Sequence, residues 1–336
     1  MNLKTHLPFT DMKLHQNYTA HLELKQPGMT VRARQFPLST EDSAEIDKQI
    51  LQMEEMGLIE KSEDTTFNSP IFLIKKKHTG KTRFVVDLRK VNDVLKPLTV
   101  MLPRIDDVLQ DIASQKPTIY SSLDLFKGFW AIPLDKSSRK YTNFYSPKTG
   151  IPYRYCTLPM GLNSSPGHYQ RMTTKIFHNK EYWKFLHLYV DDLLLTSTTF
   201  EEHLRHLKQT LQTLRLNNLM LNSTKAYIGH SSITYLGHTL TADGITLSDE
   251  NVKAIKNIAI PKNKRSLERL LGLLNYFRKY IKNYSLRTTA MRELLKKETV
   301  FHWTPECTAE LEDLKTALIS EPILGQLTKT VIFISQ

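Results

Sequence analysis

The stretch Phe185-Leu186-His187-Leu188-Tyr189-Val190-Asp191-Asp192-Leu193-Leu194-Leu195 sets two adjacent carboxylates between two apolar, strand-like runs. Runs of this kind belong in a sheet. No Lys or Arg lies between Phe185 and Phe200 to neutralise the acids. A carboxylate held away from water without a partner is costly. A turn at Val190-Asp191-Asp192-Leu193 would carry both acids to a hairpin tip, where a divalent cation is an economical compensation. Upstream, Leu123-Asp124-Leu125-Phe126 sets a third acid among apolar neighbours. Three such acids brought together make a hard-oxygen site of the kind Mg²⁺ prefers. Two cations about 3.5–4 Å apart can activate an attacking oxygen and stabilise a leaving one in phosphoryl transfer. The competing reading is that Asp191-Asp192 is a solvated loop tip.

Around this core, strand and helix runs alternate without a βαβ regularity, so α+β is the expected class. Residues 1–30 read as an extended lead-in ending in Pro27-Gly28. A helix follows, with Ser39-Thr40-Glu41-Asp42 as cap and first-turn acids, Ile46, Ile50, Leu51 and Met53 at helical spacing, and Gly57 at its end. Pro70 to Ile74 and Thr82 to Asp87 read as a hairpin with a basic tip. Helices are expected over Pro103–Ile112, Ser165–Phe177 and Phe200–Asn217. The last of these carries Leu204, Leu207, Leu211 and Leu214 at spacings of three or four. Ile233 to His238 suggests another hairpin. From Asp249 to Leu324 the chain reads as helical and basic, broken by Pro261, Pro305 and Pro322.

The 336 residues carry 46 Lys and Arg against 34 Asp and Glu, a net charge of +12. That balance argues for a polyanionic partner. With 40% hydrophobic and 24% charged residues, the chain can bury a core and is not disordered overall. Two cysteines, Cys156 and Cys307, exclude a disulfide framework and a thiolate-rich zinc site. The N-terminus has no signal-peptide core, and no window approaches the roughly 20 apolar residues of a membrane span. A cytoplasmic or nuclear setting is expected.

Leu123-Asp124-Leu125 followed by Tyr189-Val190-Asp191-Asp192 resembles the palm of a reverse transcriptase. Further segments occur in that family's order and spacing: Ser69 to Lys77, Arg83 to Arg89, Leu102 to Asp107, Leu158 to Pro166, and Tyr235-Leu236-Gly237-His238. Leu270 to Ile281 is similar to the thumb of gypsy-type LTR retrotransposon polyproteins. Each motif alone is weak, and six in register over residues 31 to 325 are strong. The resemblance implies a right-hand polymerase with an antiparallel palm sheet backed by helices and a helical thumb. Fingers would span 31–99 and 132–164, palm 100–131 and 165–246, and thumb or helical connection 247–325. The segment 326–336 looks like the truncated first strand of a ribonuclease H-like domain.

The same resemblance implies residue roles. Asp124, Asp191 and Asp192 would be catalytic and hold two Mg²⁺ ions, with Mn²⁺ as a substitute. Lys76 and Arg83 match positions that hold the triphosphate, where Arg grips bidentately and Lys acts as a point charge. Lys225 resembles a palm lysine near the same phosphates. Phe129 matches the bulky residue that excludes a ribose 2′-hydroxyl, and Gly161 would admit close backbone approach. Tyr189, Tyr235, Leu236, Gly237 and His238 would meet primer and template. The chain departs from retroviral enzymes at Met160, where they carry glutamine, and at Lys127, where they carry a second acid. From Lys262 to Lys297, eleven Lys and Arg against Glu268 and Glu293 read as a face on duplex backbone. The expected activity is RNA-directed DNA polymerisation, also DNA-templated, with template, primer duplex and dNTPs as partners and retrotransposon particles as one setting. Two alternatives stay open: a catalytically silent nucleic-acid-binding descendant and an RNA-dependent RNA polymerase.

Overall fold

The computed structural model describes residues 14–75, 82–100, 103–125, 128–278 and 281–320. The expected ribonuclease H-like start and Lys76 lie outside the described residues. The chain divides into two units: Met1–Pro103, Ser122–Leu195 and Leu204–Ile228 form the first, and Arg104–Ser121, Thr196–His203 and Gly229–Gln336 the second. The palm segments expected from sequence are therefore shared between the two units, and the three-part hand does not coincide with this partition.

In the first unit, helix α1 (Thr40–Glu55) starts where expected. The Ser39 Oγ accepts from the Asp42 N–H at 3.0 Å, which satisfies one of the donors that a helix start leaves open. Ile46, Ile50 and Met53 face inward, whereas Leu51 is exposed. Strands β1 (Ile71–Lys75) and β2 (Thr82–Val86) form the basic hairpin, antiparallel with Ile74 opposite Arg83. Three further strands belong to one four-stranded sheet: β3 (Ile119–Asp124), β4 (Leu186–Tyr189) and β5 (Asp192–Ser197). With β6 (Tyr227–His230) the sheet order is β6-β3-β5-β4, so the two acid-bearing strands are neighbours. Helix α2 (Ser165–Ile176) buries Tyr169 and Met172 in a core that also holds Leu123, Leu125, Leu193 and Leu195. Helix α3 (Phe200–Leu216) follows the β4–β5 hairpin.

The second unit contains the Ile105–Gln115 helix and a three-stranded antiparallel sheet, β7 (Ser232–Tyr235), β8 (His238–Thr241) and β9 (Gly244–Leu247). Helices α4 (Asp249–Lys256), α5 (Lys264–Tyr276) and α6 (Pro305–Ser320) come after it. A capping box opens α5, with the Asn263 side chain and Ser266 satisfying each other's backbone N–H groups. The stripe Leu267, Leu270, Leu271, Leu274 and Phe277 packs against Met291, Leu311, Leu314 and Leu318 in a core of its own. Among the described residues no helix is long and apolar enough to cross a membrane.

Candidate active site

The apolar runs of the acidic segment pair as an antiparallel hairpin, Tyr189 opposite Asp192 and Leu193 opposite Leu188. Val190 and Asp191 form its two-residue turn. Val190 sits at φ 50°, a left-handed conformation that a β-branched side chain adopts only under strain of order 1–3 kcal/mol. Leu193, Leu194 and Leu195 are fully buried and hold the strand down, while Asp191 and Asp192 stand exposed at the tip. The sequence reading of a tip is therefore met, and the acids are reachable by solvent rather than locked in a core.

Asp124 ends strand β3. Its main-chain oxygen accepts from the Asn222 N–H at 2.8 Å, and a Leu125–Leu221 bridge adds a second tie. These contacts bring the loop Asn222-Ser223-Thr224-Lys225 alongside. The turn is closed by the Lys225 N–H on the Asn222 oxygen at 3.0 Å and by the Thr224 hydroxyl on the Asn222 side chain at 2.7 Å. Lys225 Nζ consequently lies 2.8 Å from Asp124 Oδ2. Bonding to Asp124 raises the lysine's pKa, so it stays a cation throughout the working pH range.

The three acids share one electrostatic environment. Asp191 is pushed up to about 6, first by the protein surrounding its carboxyl and then by Asp192 and Asp124. Asp192 is raised by the same desolvation and by Asp124, with Lys225 opposing. Mutual repulsion of this kind marks a site that gathers more negative charge than Lys225 neutralises. The donor chemistry suits a hard divalent cation. Among the described residues, however, no three His, Cys, Asp or Glu side chains are drawn into a ready metal shell.

The remaining expected residues divide clearly. Arg83 is exposed on β2, and its guanidinium lies against the Met160 sulfur. Gly161 adopts φ 102°, a conformation favouring glycine, and its carbonyl accepts from the Asn92 side chain at 2.9 Å. Phe129 lies in a short turn of 3-10 helix, Gly128–Ala131, half-buried against the first unit's core. Tyr189 is half-buried beside the acid tip. In the second unit, Leu236 and Gly237 form the β7–β8 turn with φ 48° and 78°. Tyr235 and His238, on either side of that turn, are 3% and 1% exposed, so their side chains lie in the interior of this unit. Sequence reasoning missed Tyr169, a fully buried aromatic of α2 that packs edge to face on Phe129 with ring centroids 5.3 Å apart. Its position within the helix that follows Ser164-Ser165-Pro166 was the available signal.

Residues 74–240 match the family described as reverse transcriptase (RNA-dependent DNA polymerase). Residues 74–240 are a reverse transcriptase domain. The Tf2-3 and Tf2-7 transposon polyproteins of Schizosaccharomyces pombe are each 32% identical to this chain over 306 and 305 residues. Those matches cover 90% of this chain and 22% of each polyprotein, so the chain spans about a fifth of the length of these relatives. Among solved structures, a foamy viral protease-reverse transcriptase in complex with double-stranded DNA is similar at a TM-score of 0.78 and 26% identity, over 90% of this chain and 52% of that one. A foamy viral protease-reverse transcriptase in complex with an RNA/DNA hybrid matches at 0.72 and 25%, over 90% of this chain and 40% of that one. The α+β polymerase fold of reverse transcriptases is thus the fold of this chain. The family generally uses divalent metal ions, in keeping with the acid cluster.

Proposed function

We propose that this chain is an RNA-directed DNA polymerase that adds dNTPs to a primer 3′-hydroxyl and copies DNA templates at the same site. The observation that carries the reading is Asp124 at the end of β3 with Asp191 and Asp192 at the tip of the hairpin whose strand β5 neighbours β3, near enough for Asp124 to raise the pKa of both. These three residues would hold two Mg²⁺ ions, or Mn²⁺ in their place, which supply charge neutralisation at the α-phosphate and lower the pKa of the attacking hydroxyl.

The chain's own groups supply positioning and electrostatics, which is most of what such a reaction asks of a protein. Arg83 offers a planar fork to the triphosphate. Lys225, exposed at the surface and 2.8 Å from Asp124 Oδ2, would offer its charge to a phosphate brought to the acids. Phe129 would exclude a 2′-hydroxyl by its bulk and so select deoxyribose. The Leu236–Gly237 turn would support the primer end, and the exposed Lys262, Arg265, Arg269 and Arg278 would track duplex backbone without reading sequence.

Primer extension on an oligo(dT)-primed RNA with Mg²⁺ or Mn²⁺ tests this reading. Template-dependent dNTP incorporation is expected. A chain that shifts the primer–template on a gel yet incorporates no dNTP with either ion would be the silent descendant, and the proposal would fall.

A further inference from the structure

The turn that carries Phe129 does not stand alone. It rests on Tyr169. A Cβ built on Gly128 would lie 2.6 Å from Tyr169 Cε2, 3.1 Å from Cζ and 3.0 Å from the hydroxyl. Atoms of a real side chain do not approach so closely, so the backbone of residue 128 is seated directly on the ring. The next residue, Phe129, meets the same ring edge to face at an interplanar angle of 61°. Tyr169 is 0% exposed, and a close-packed surround leaves that ring no room to yield.

The seating depends on the Tyr169 ring and not on a bond from its hydroxyl. The hydroxyl has no hydrogen-bond partner among the described residues. A buried hydroxyl without a partner is unfavourable, and phenylalanine would fill the same space without that cost. Burial, and after it the charges of Asp191, Asp124 and Asp192, hold the phenol protonated far above its usual range. The same side chain therefore lies within the field of the acid cluster at one end and under the Gly128-Phe129 turn at the other.

We propose that Tyr169 is a positioning residue for sugar selection: its ring, seated beneath Gly128 and against Phe129, fixes the height at which the Phe129 ring meets the sugar of an incoming nucleotide. The proposal rests on the polymerase reading given above and goes beyond it in naming what holds the gate. If the ring is removed, Phe129 settles toward α2 and clears the space that a ribose 2′-hydroxyl needs. If a methyl is added at residue 128, the turn is driven off the ring.

The test is single-nucleotide incorporation of dTTP and of UTP on primed poly(rA), with kcat and KM measured separately for wild type, Tyr169→Leu, Tyr169→Phe, Gly128→Ala and the double variant Gly128→Ala/Tyr169→Leu. Tyr169→Leu is expected to lower the dTTP-to-UTP ratio of kcat/KM by about tenfold or more, chiefly through a lower KM for UTP. Tyr169→Phe keeps the ring and should stay within about threefold of the wild-type ratio. Gly128→Ala should lose about tenfold or more in dTTP incorporation, and the double variant should recover part of it because leucine vacates the collision. A folded Tyr169→Leu with a wild-type ratio overturns the proposal. Should that variant fail to fold, Gly128→Ala with wild-type kinetics for both nucleotides overturns it instead. Wild-type protein that incorporates no dTTP refutes the polymerase reading and this proposal with it, whereas normal dTTP incorporation with unchanged selectivity in the variants refutes this proposal alone.

Discussion

Replacing Asp191 by asparagine should move stability and activity in opposite directions. The Asp191 carboxyl is raised from 3.8 to about 6 by desolvation and by two neighbouring acids. At about 1.4 kcal/mol per pKa unit, its ionised form costs the fold about 3 kcal/mol before solvent screening. The residue stands exposed at the tip, so screening reduces this to ~1 kcal/mol. An asparagine in its place keeps nearly the same shape and carries no charge. In metal-free buffer at pH 7.5, Asp191→Asn is therefore expected to be more stable than wild type by ~1 kcal/mol. The sign follows from the raised pKa. The wild-type acid contributes stability that is complete below pH 3.8 and lost as pH rises through about 6. The advantage of the variant should accordingly be full above pH 6 and vanish near pH 4. Denaturant midpoints measured from pH 4 to 8 give this curve directly.

Primer extension by the same variant should fall by at least about 10²-fold, because removing a charge from a preorganised electrostatic centre costs that much elsewhere. Binding of primer–template should persist, since phosphate contacts from other residues dominate affinity. A variant less stable than wild type at pH 7.5 would sink the electrostatic account. Extension retained within about tenfold would sink the catalytic assignment.

The remaining predictions rest on other parts of the chain. Arg83→Ala should raise the KM for dNTP by roughly 10- to 100-fold, the worth of one charge-assisted contact, and steady-state kinetics with an unaltered KM would remove Arg83 from the nucleotide site. Arg265→Gln combined with Arg269→Gln should lower the slope of log affinity for duplex against log salt by about 2, at about 0.9 per phosphate contact. Filter binding at several salt concentrations reads the slope, and an unchanged one would take α5 off the duplex. Leu274→Ala empties a fully buried site in the second unit's core. It should cost about 2–5 kcal/mol, measurable as a shift in the denaturant midpoint, and a midpoint equal to that of wild type would contradict the packing.

Most of the elements were legible because their signals are local. A capping serine opens α1 at the expected residue, and an apolar run broken by two acids makes the β4–β5 hairpin. What was not legible is phase. Helix α3 has leucines at 204, 207, 211 and 214, a spacing that points to an inward stripe. Leu204 and Leu211 are instead exposed, and only Leu214 is fully buried. In the first unit Thr210 is 0% exposed, half-buried His206 stacks its ring on Phe185 at 3.9 Å, and half-buried Thr213 bonds the Tyr182 hydroxyl at 2.6 Å.

The burial of Thr210 has a physical cause that also applies to His238 in the β7–β8 hairpin. Hydrophobic periodicity assumes that polar side chains face water because burial strips their hydrogen bonds. Where the fold returns those bonds, the penalty disappears and a Thr or His packs as well as a leucine. Thr210 satisfies its hydroxyl on the His206 carbonyl at 2.9 Å, within its own helix. His238 has its ring nitrogen Nδ1 2.9 Å from the Leu236 carbonyl, within its own turn, and burial lowers its pKa so that it sits inside as a neutral ring. These partners are supplied by the backbone close by, so composition cannot register them and a sequence pattern reads the residues as outward. The acids at the tip are the converse case. Lys225 pairs with Asp124, and the fold leaves Asp191 and Asp192 exposed while burying the leucines that follow them. The proposed reaction would need the same arrangement, because charge left uncompensated at the tip remains available to a cation and a substrate. The site was therefore legible where it conflicts with folding and hidden where, as at Tyr169, it coincides with the core.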